Sequence, residues 1–176
     1  VSILGGLDVL ICNTGESKSS KPNSEKFKDW KKMFDQNFFS ATNVIESSKN
    51  HLIKSKGLII GISSAAGSKV LRGAPITYST SKAALSYYLQ SLSLYMGQKG
   101  VRVNIITPGN IMFAGSTWEK KLKKNRSKVT KLIADTIPLN RFGLSEEVAD
   151  LVSFLISKKS TYLNGAKIPL DGGLVI

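Results

Sequence analysis

The chain of 176 residues can form one domain with a sizeable hydrophobic core, and no repeat or linker divides it. Lys and Arg outnumber Asp and Glu by 25 to 12, a formal charge of +13 that indicates either a solvated lysine-rich surface or an anionic partner. The sequence has no export leader, no membrane-length apolar run and no cysteine besides Cys12, so it argues against a membrane or disulfide-stapled protein and predicts a cytoplasmic one.

Short apolar segments alternate along the chain with segments of helical periodicity. The apolar segments predict buried strands at Asp8–Cys12, Gly57–Ile62, Val101–Thr107 and Ala166–Leu170. Helices are predicted from Phe27 to Leu52, from Tyr78 to Met96, in a basic segment from Ser116 to Ile133, and after Ser145, which is predicted to cap the last of them. Strands and helices alternating at this spacing predict a parallel α/β sheet.

The first long helix is predicted to carry an apolar stripe with one polar residue inside it. The stripe consists of Phe27, Trp30, Phe34, Phe38, Ala41, Ile45 and Leu52. Asn37 lies on the same stripe, and a buried carboxamide is costly unless it is hydrogen-bonded. Asn37 is therefore either a satisfied polar residue that bends the helix or a residue with a function.

Tyr78 and Lys82 form the chemically most informative pair in the sequence. They are four residues apart at the start of a predicted helix, so the phenol and the ammonium share one face. A cation held there is expected to lower the pKa of the tyrosine from its usual value near 10, which would suit a proton donor and acceptor. The alternative is a half-buried ring beside a solvated amine.

Polar residues follow three of the predicted strands, at the point where each strand ends. They are Asn13–Gly15, Ser63–Ser64 and Thr107–Gly109, and the helix of Tyr78 begins near the same edge. Ligands of open parallel sheets bind beyond the carboxyl ends of the strands. The sequence therefore predicts a site at this edge.

This ordered set of motifs resembles the short-chain dehydrogenase/reductase family. The matching segments are Asn13–Gly15, Asn37, Ile62–Gly67, the Tyr-x-x-x-Lys signature at Tyr78 and Lys82, Val101–Gly109, Pro138–Glu147 and Tyr162–Gly173. The resemblance implies a Rossmann-like, doubly wound parallel sheet that here lacks its first βαβαβ half. Residues 1–176 would form a single domain, the C-terminal portion of a family domain.

The resemblance also implies an NAD(P)-dependent oxidoreductase that transfers hydride between a nicotinamide and a carbonyl or alcohol. Tyr78 would be the general acid and base, and Ser64 would stabilise charge on the substrate oxygen. Lys82 would lower the pKa of Tyr78 and bind the ribose, while Asn37 would hold a proton-relay water. The loop before Tyr78 is a residue longer than in many members, so Ser63 remains an alternative to Ser64 as the catalytic serine.

The cofactor-binding residues implied by the resemblance come from several segments. They are Asn13 and Gly15 on the adenosine side, Tyr78 and Lys82 at the ribose, and Pro108, Gly109 and Ile111 against the nicotinamide. No metal site is implied. Gly5–Gly6 precedes a predicted strand instead of following one, so the glycine turn for the cofactor phosphate is missing, as is the residue that selects NADP or NAD. We therefore expect the C-terminal part of a longer chain, with NADPH favoured over NADH.

Partners are predicted mainly from the segment Ala114–Leu132, which falls where the family places its substrate lid. It carries the cationic residues Lys120, Lys121, Lys123, Lys124, Arg126, Lys128 and Lys131, which favour an anionic substrate or an acidic carrier. The chain most resembles 3-oxoacyl-acyl-carrier-protein reductases, whose substrates are 3-oxoacyl thioesters. A homo-oligomer, dimer or tetramer, would be built on the helices that begin near Phe27 and Tyr78, and no membrane partner is implied.

The competing hypothesis is a truncated or non-catalytic member of the fold, inactive or binding an anionic partner such as nucleic acid. Aromatic and basic residues do alternate around Trp30, as base-stacking surfaces require. Trp30, however, lies on the predicted apolar stripe, which favours a role in packing. Nucleic acid is therefore disfavoured as a partner.

Overall fold

A parallel sheet organises residues 5–175, the part of the chain that the computed structural model describes. The strands are β1 (Val9–Cys12), β2 (Leu58–Ile62), β3 (Arg102–Pro108), β4 (Ile111–Met112), β5 (Gly143–Leu144) and β6 (Lys167–Leu170). Strands β1, β2, β3 and β6 pair in that order, all in parallel, and β4 pairs with β5 in a separate parallel ribbon. Each of the predicted strands is therefore present, while β4 and β5 were not predicted, because two-residue strands have no periodicity to detect.

Helices connect the strands and cover both faces of the sheet. They are α1 (Phe27–Phe34), α2 (Ser40–Ser55), α3 (Ile76–Gly97), α4 (Thr117–Lys124), α5 (Arg126–Thr136) and α6 (Ser145–Ile156). One core lies between α2, α3 and the sheet, and a second lies between α6 and the opposite face. The predicted α/β fold with helices on both sides of a parallel sheet is confirmed. Within residues 5–175, no helix is both long and apolar enough to cross a membrane.

The predicted first helix is interrupted by a π-helical turn, Asp35–Phe39, between α1 and α2. The buried positions along this segment are Met33, Asn37, Ala41, Ile45, Ser48 and Leu52, so most of them are spaced by four residues. An α-helix has 3.6 residues per turn and would rotate such a row away from the core, and the wider π turn compensates for that rotation. The predicted stripe was wrong at its start, because the Phe27 side chain is 83% exposed.

The predicted basic helix consists of two helices that meet at Asn125. Ser116 caps α4 by accepting the Glu119 backbone N–H at 3.0 Å, and Asn125 caps α5 by accepting that of Lys128 at 3.0 Å. These caps satisfy backbone donors that a helix end leaves unpaired. The segment 113–136, called the lid below, packs on its own small core of Val129, Ile133, Ile137, Trp118, Leu122, Phe142 and Leu174. The cationic residues of the lid are exposed.

Ser145 was predicted to cap α6, but the structure places it inside the helix. Ser145 is already helical, and the residue before it, Leu144, provides no side-chain cap. The Glu147 carboxylate instead accepts the Leu144 backbone N–H at 2.8 Å and forms a bidentate ion pair with Arg141. A carboxylate in the first turn also suits the helix dipole, and this pairing holds the pKa of Glu147 down at about 2.

Candidate active site

The carboxyl ends of β1, β2 and β3 bring the predicted residues to one edge of the sheet. Parallel pairing aligns Cys12 with Gly61 and Ile62 with Ile106, so the residues that follow each strand emerge together. Helix α3 begins near the same edge and places Tyr78 and Lys82 on the face towards the end of β2. The site is thus assembled from separate strand ends and one helix, as the family resemblance implied.

Lys82 is the most enclosed charged residue of the site, with only 4% of its surface exposed. Its ammonium Nζ donates a hydrogen bond to the Ile62 carbonyl at 2.9 Å. A Cβ atom added at Gly15 would lie 2.9 Å from this Nζ and 2.7 Å from Asn37 Oδ1. Gly15, Asn37 and Lys82 therefore converge, and only glycine leaves room for the other two side chains.

Asn37 is fully buried in the π turn, and each polar atom of its side chain has a hydrogen-bond partner. Its Oδ1 accepts from the Glu16 backbone N–H at 3.0 Å, and its Nδ2 donates to the carbonyls of Glu16 and Met33, each at 3.0 Å. The first alternative from the sequence, a satisfied polar residue in a distorted helix, is thus observed. The second remains open, because π turns are frequent at functional sites and Asn37 lies next to Lys82.

The two candidate serines contact different parts of α3. The Ser64 hydroxyl lies close enough to the Tyr78 phenol to lower its pKa, and it accepts the Ala66 backbone N–H at 3.2 Å. Ser63 instead donates its hydroxyl proton to the Lys82 backbone carbonyl at 2.9 Å, in the buried contact between β2 and α3. The structure therefore brings Ser64, and not Ser63, to the reactive group of Tyr78.

The expected pKa shift of Tyr78 is wrong in direction. Burial raises the pKa of the phenol above its ordinary value of 10, and the Ser64 hydrogen bond opposes only part of that rise. The Lys82 ammonium bonds to the Ile62 carbonyl and not to the phenol, so it stabilises the phenolate too little to offset the hydration that the phenolate loses on burial. Burial also lowers the pKa of Lys82 itself to about 8, and it raises the pKa of the neighbouring Cys12 thiol to about 11.

The remaining predicted cofactor residues continue along the same edge. Pro108 ends β3, and the Gly109 backbone N–H donates to the Leu170 carbonyl at 3.0 Å. A Cβ atom at Gly109 would lie 2.8 Å from the Asp171 Cα, so a side chain does not fit there. Ile111 is half-buried in β4, and Asn13 is exposed beyond the end of β1. Neither Ile111 nor Asn13 joins the hydrogen-bonded cluster around Lys82.

Several residues that shape the site were not predicted. A Cβ atom at Gly67 would lie 2.7 Å from the Lys82 carbonyl carbon, so the turn after Ser64 packs directly on the backbone of α3. Thr77 is fully buried and shares a 2.6 Å hydrogen bond with Ser19 in the loop after β1. Sequence spacing carries no signal for such contacts, because they join segments far apart in the chain. Among residues 5–175, no group of three or more His, Cys, Asp or Glu side chains could hold a metal ion.

Comparison with known proteins agrees with this geometry. The family profile described as "Enoyl-(Acyl carrier protein) reductase" matches residues 1–175. Glucose 1-dehydrogenase 2 of Bacillus subtilis is 31% identical over 98% of this chain and 66% of its own length. The 3-oxoacyl-[acyl-carrier-protein] reductase of Buchnera aphidicola is 34% identical over 96% of this chain and 66% of its own length.

The structural likeness covers the same portion of the known proteins. L-sorbose reductase of Gluconobacter frateurii, solved with NADPH and L-sorbose, matches with a TM-score of 0.89 at 26% identity, covering 98% of this chain and 68% of that protein. The chain spans about two thirds of the length of the curated relatives that it matches. Because the family profile matches nearly the whole chain, this chain belongs to the short-chain dehydrogenase/reductase family.

Proposed function

We propose that the protein containing this chain is an NAD(P)-dependent oxidoreductase acting on a carbonyl or alcohol substrate. The observation that carries the proposal is the cluster of Tyr78, Ser64, Lys82 and Asn37 at the carboxyl edge of a parallel sheet, with the serine beside the phenol. A phenol and a hydroxyl that meet at an open sheet edge can share one substrate oxygen.

A nicotinamide cofactor, when bound, would supply or accept the hydride. The residues present suit its nicotinamide half: glycine at positions 15 and 109 keeps side chains away from the strand ends, and a buried ammonium lies beside them. Tyr78 and Lys82 would hold the ribose, and Pro108, Gly109 and Ile111 would lie against the nicotinamide. Asn13 and Gly15 would border the adenosine side. L-sorbose reductase was solved with NADPH and a 7α-hydroxysteroid dehydrogenase with NADH, and of the two cofactors we favour NADPH here.

The chain's own residues would handle the proton and the developing charge. In carbonyl reduction, Tyr78 would donate its phenolic proton to the substrate oxygen, and Ser64 would donate a hydrogen bond to the same oxygen. The raised pKa of Tyr78 keeps the phenol protonated at neutral pH, as a proton donor in carbonyl reduction must be. Lys82 and an Asn37-bound water would return a proton to Tyr78 after each turnover.

The substrate class we favour is a 3-oxoacyl thioester attached to an acidic carrier. A relative of this chain is a 3-oxoacyl-[acyl-carrier-protein] reductase, and the lid presents cationic side chains to solvent. Among the cationic residues of the lid, within the part of the chain that the structure describes, Lys123 forms a salt bridge, to Glu119 at 2.8 Å. The rest of the basic surface can therefore attract an acidic partner.

We further propose that a preceding βαβαβ segment pairs with β1 in the complete protein. Within residues 5–175, β1 pairs with β2 alone, and Ile11 at this edge is 43% exposed. An unpaired apolar edge strand invites further strand pairing. The chain covers 66% of the length of each of the two relatives named above, which supports the same proposal.

The decisive experiment measures carbonyl-dependent NADPH oxidation by the full-length protein and by its Tyr78→Phe variant. Loss of the proton donor is expected to reduce kcat by about a thousandfold while leaving the fold intact, as judged by circular dichroism. Tyr162→Phe, which changes a fully exposed tyrosine outside the site, is the matched control and should retain activity. A wild-type protein without activity on any carbonyl, but with a gel shift on random DNA, would support the non-catalytic alternative.

A further inference from the structure

Two buried serines outside the proposed catalytic set connect β2 to α3. Ser86 donates its hydroxyl proton to Ser63 Oγ at 2.7 Å, and Ser63 donates in turn to the Lys82 carbonyl at 2.9 Å. Ser63 and Ser86 are 4% and 3% exposed. Both hydroxyls are therefore removed from solvent, and this chain of hydrogen bonds, called the serine relay below, is directed at the backbone of Lys82.

Ser63 lies between two residues that contact the side chains of Lys82 and Tyr78. The residue before it, Ile62, accepts the hydrogen bond from Lys82 Nζ, and the residue after it, Ser64, lies beside the Tyr78 phenol. Three consecutive residues at the end of β2 thus contact α3 through Lys82 and Tyr78. Of these three contacts, only the middle one is made to the backbone of the helix, so it constrains the helix independently of the Tyr78 and Lys82 rotamers.

We infer that Ser63 and Ser86 are positioning residues, which hold α3 against the end of β2 so that Tyr78 meets Ser64 while Lys82 reaches Ile62. The close approach of Gly67 to the Lys82 backbone acts in the same direction. Both hydroxyls bond within the contact between β2 and α3, away from the Tyr78 phenol. The inference rests on the function proposed above, because positioning matters only if the reaction takes place.

The order of the hydrogen bonds predicts unequal effects. Ser63→Ala removes both bonds of the relay and leaves the buried Ser86 hydroxyl without its acceptor, whereas Ser86→Ala removes one bond and leaves Ser63 bonded to Lys82. A shift of a catalytic group by a fraction of an ångström affects the rate of the chemical step more than substrate binding. Both variants should therefore lower kcat, Ser63→Ala more strongly, with KM unchanged.

The test uses steady-state kinetics of the full-length protein with NADPH and a carbonyl substrate. Ser63→Ala is expected to lower kcat by about thirtyfold and Ser86→Ala by about fivefold, while the double variant should resemble Ser63→Ala alone, since the two residues act through one relay. Ser63→Thr, which keeps the hydroxyl, should restore most of the rate. Ser93→Ala is the matched control: Ser93 is also on α3 and 3% exposed, but its hydroxyl bonds to the Gln90 carbonyl at 2.6 Å.

The possible outcomes distinguish a failure of the positioning role from a failure of the proposed function. A wild-type protein that oxidises NADPH, with Ser63→Ala and Ser93→Ala equally active, would overturn the positioning role and leave the proposed function standing. Equal losses of kcat in Ser63→Ala, Ser86→Ala and Ser93→Ala would also overturn it, because they would report general loosening of α3. A wild-type protein inactive on every carbonyl would overturn the proposed function and the positioning role with it.

Discussion

Lys82 combines a charge, deep burial and a central place in the site. Its hydrogen bond to the Ile62 carbonyl fixes the ammonium, while its burial lowers its pKa to about 8. A lysine in this state is a mixture of ammonium and amine in mildly alkaline solution. That property suits a group that exchanges protons with Tyr78, and it also couples protein stability to pH.

The stability of the protein should reflect the titration of Lys82. Below pH 8 the folded chain carries the buried ammonium, which lowers the free energy of unfolding. Between about pH 8 and 10.5 the folded chain has lost this proton while the unfolded chain retains it, so the buried charge no longer destabilises the fold. The wild type should therefore gain about 3 kcal/mol of unfolding free energy relative to Lys82→Met as the pH rises through this window.

Urea unfolding of both proteins at several pH values measures this difference. Both proteins should carry Cys12→Ala, because the raised pKa of the Cys12 thiol would otherwise contribute a trend of the opposite sign above pH 9. A difference in unfolding free energy that stays flat from pH 7 to pH 11 would contradict the assignment of Lys82 as a buried, destabilised cation.

At the scale of single elements, the lid combines an internal apolar core with an exposed cationic surface. Trp118 packs against Phe142 with ring centroids 5.5 Å apart, and the Lys121 ammonium lies 4.3 Å from the Trp118 ring centroid. The aromatic residues thus hold the lid to the body of the domain. The lid lysines other than Lys121 take no part in that packing and remain available to a partner.

The basic lid surface should determine the affinity for a carrier-bound substrate. Replacing Lys120, Lys124 and Lys128 with Glu is expected to raise KM for an acyl-carrier thioester by roughly tenfold, and to flatten its dependence on salt, because rim charges act mainly on encounter. KM for the same acyl group on a small thiol should be unchanged. Steady-state kinetics from low to physiological salt measure both effects.

A matched triple variant tests whether position or total charge matters. Lys54, Lys99 and Lys167 are exposed and lie next to the amino-terminal ends of the strands, at the opposite side of the sheet. Their replacement with Glu changes the net charge by the same amount. Equal rises of KM in both triple variants would show that the lid has no specific role.

At the scale of the whole molecule, an exposed apolar stripe on α3 lacks a partner within the described residues. It consists of Tyr87, Leu94 and Tyr95, which are 76%, 68% and 67% exposed and recur at helical spacing. Such a surface favours association. We expect a homo-oligomer in which α3 of one subunit packs against a second copy.

Introducing charge into the stripe should dissociate this oligomer. The double variant Tyr87→Glu and Leu94→Glu is expected to sediment as a smaller species than the wild type, because two carboxylates would be buried at the subunit contact. Tyr162→Glu changes a fully exposed aromatic residue outside α3 and should leave the oligomer intact. A wild type that sediments as a monomer would contradict the proposed contact.

The unpaired edge of β1 makes a prediction about the chain taken alone. Residues 1–176 produced in isolation should scatter light at concentrations where the full-length protein stays in solution, and they should fail to bind NADPH at micromolar levels. Light scattering and fluorescence titration measure the two properties. An isolated chain that is monomeric, folded and binds NADPH with micromolar affinity would contradict the proposed preceding segment.

The sequence by itself determined the layered α/β architecture and named the residues of the candidate site. Strand and helix periodicity is a local property, so β1, β2, β3 and β6 could be predicted from short windows. The same holds for the face shared by Tyr78 and Lys82, which depends only on helical geometry. Family motifs then indicated which of these polar residues belong to one site.

The tertiary structure decided the features that depend on distant contacts. It placed Ser64 rather than Ser63 at the phenol, inserted the π turn that brings Asn37 beside Lys82, and reversed the expected pKa shift of Tyr78. The physical reason is the same in each case. Hydration lost on burial and hydrogen bonds between remote segments set these properties, and neither is encoded in the spacing of neighbouring residues.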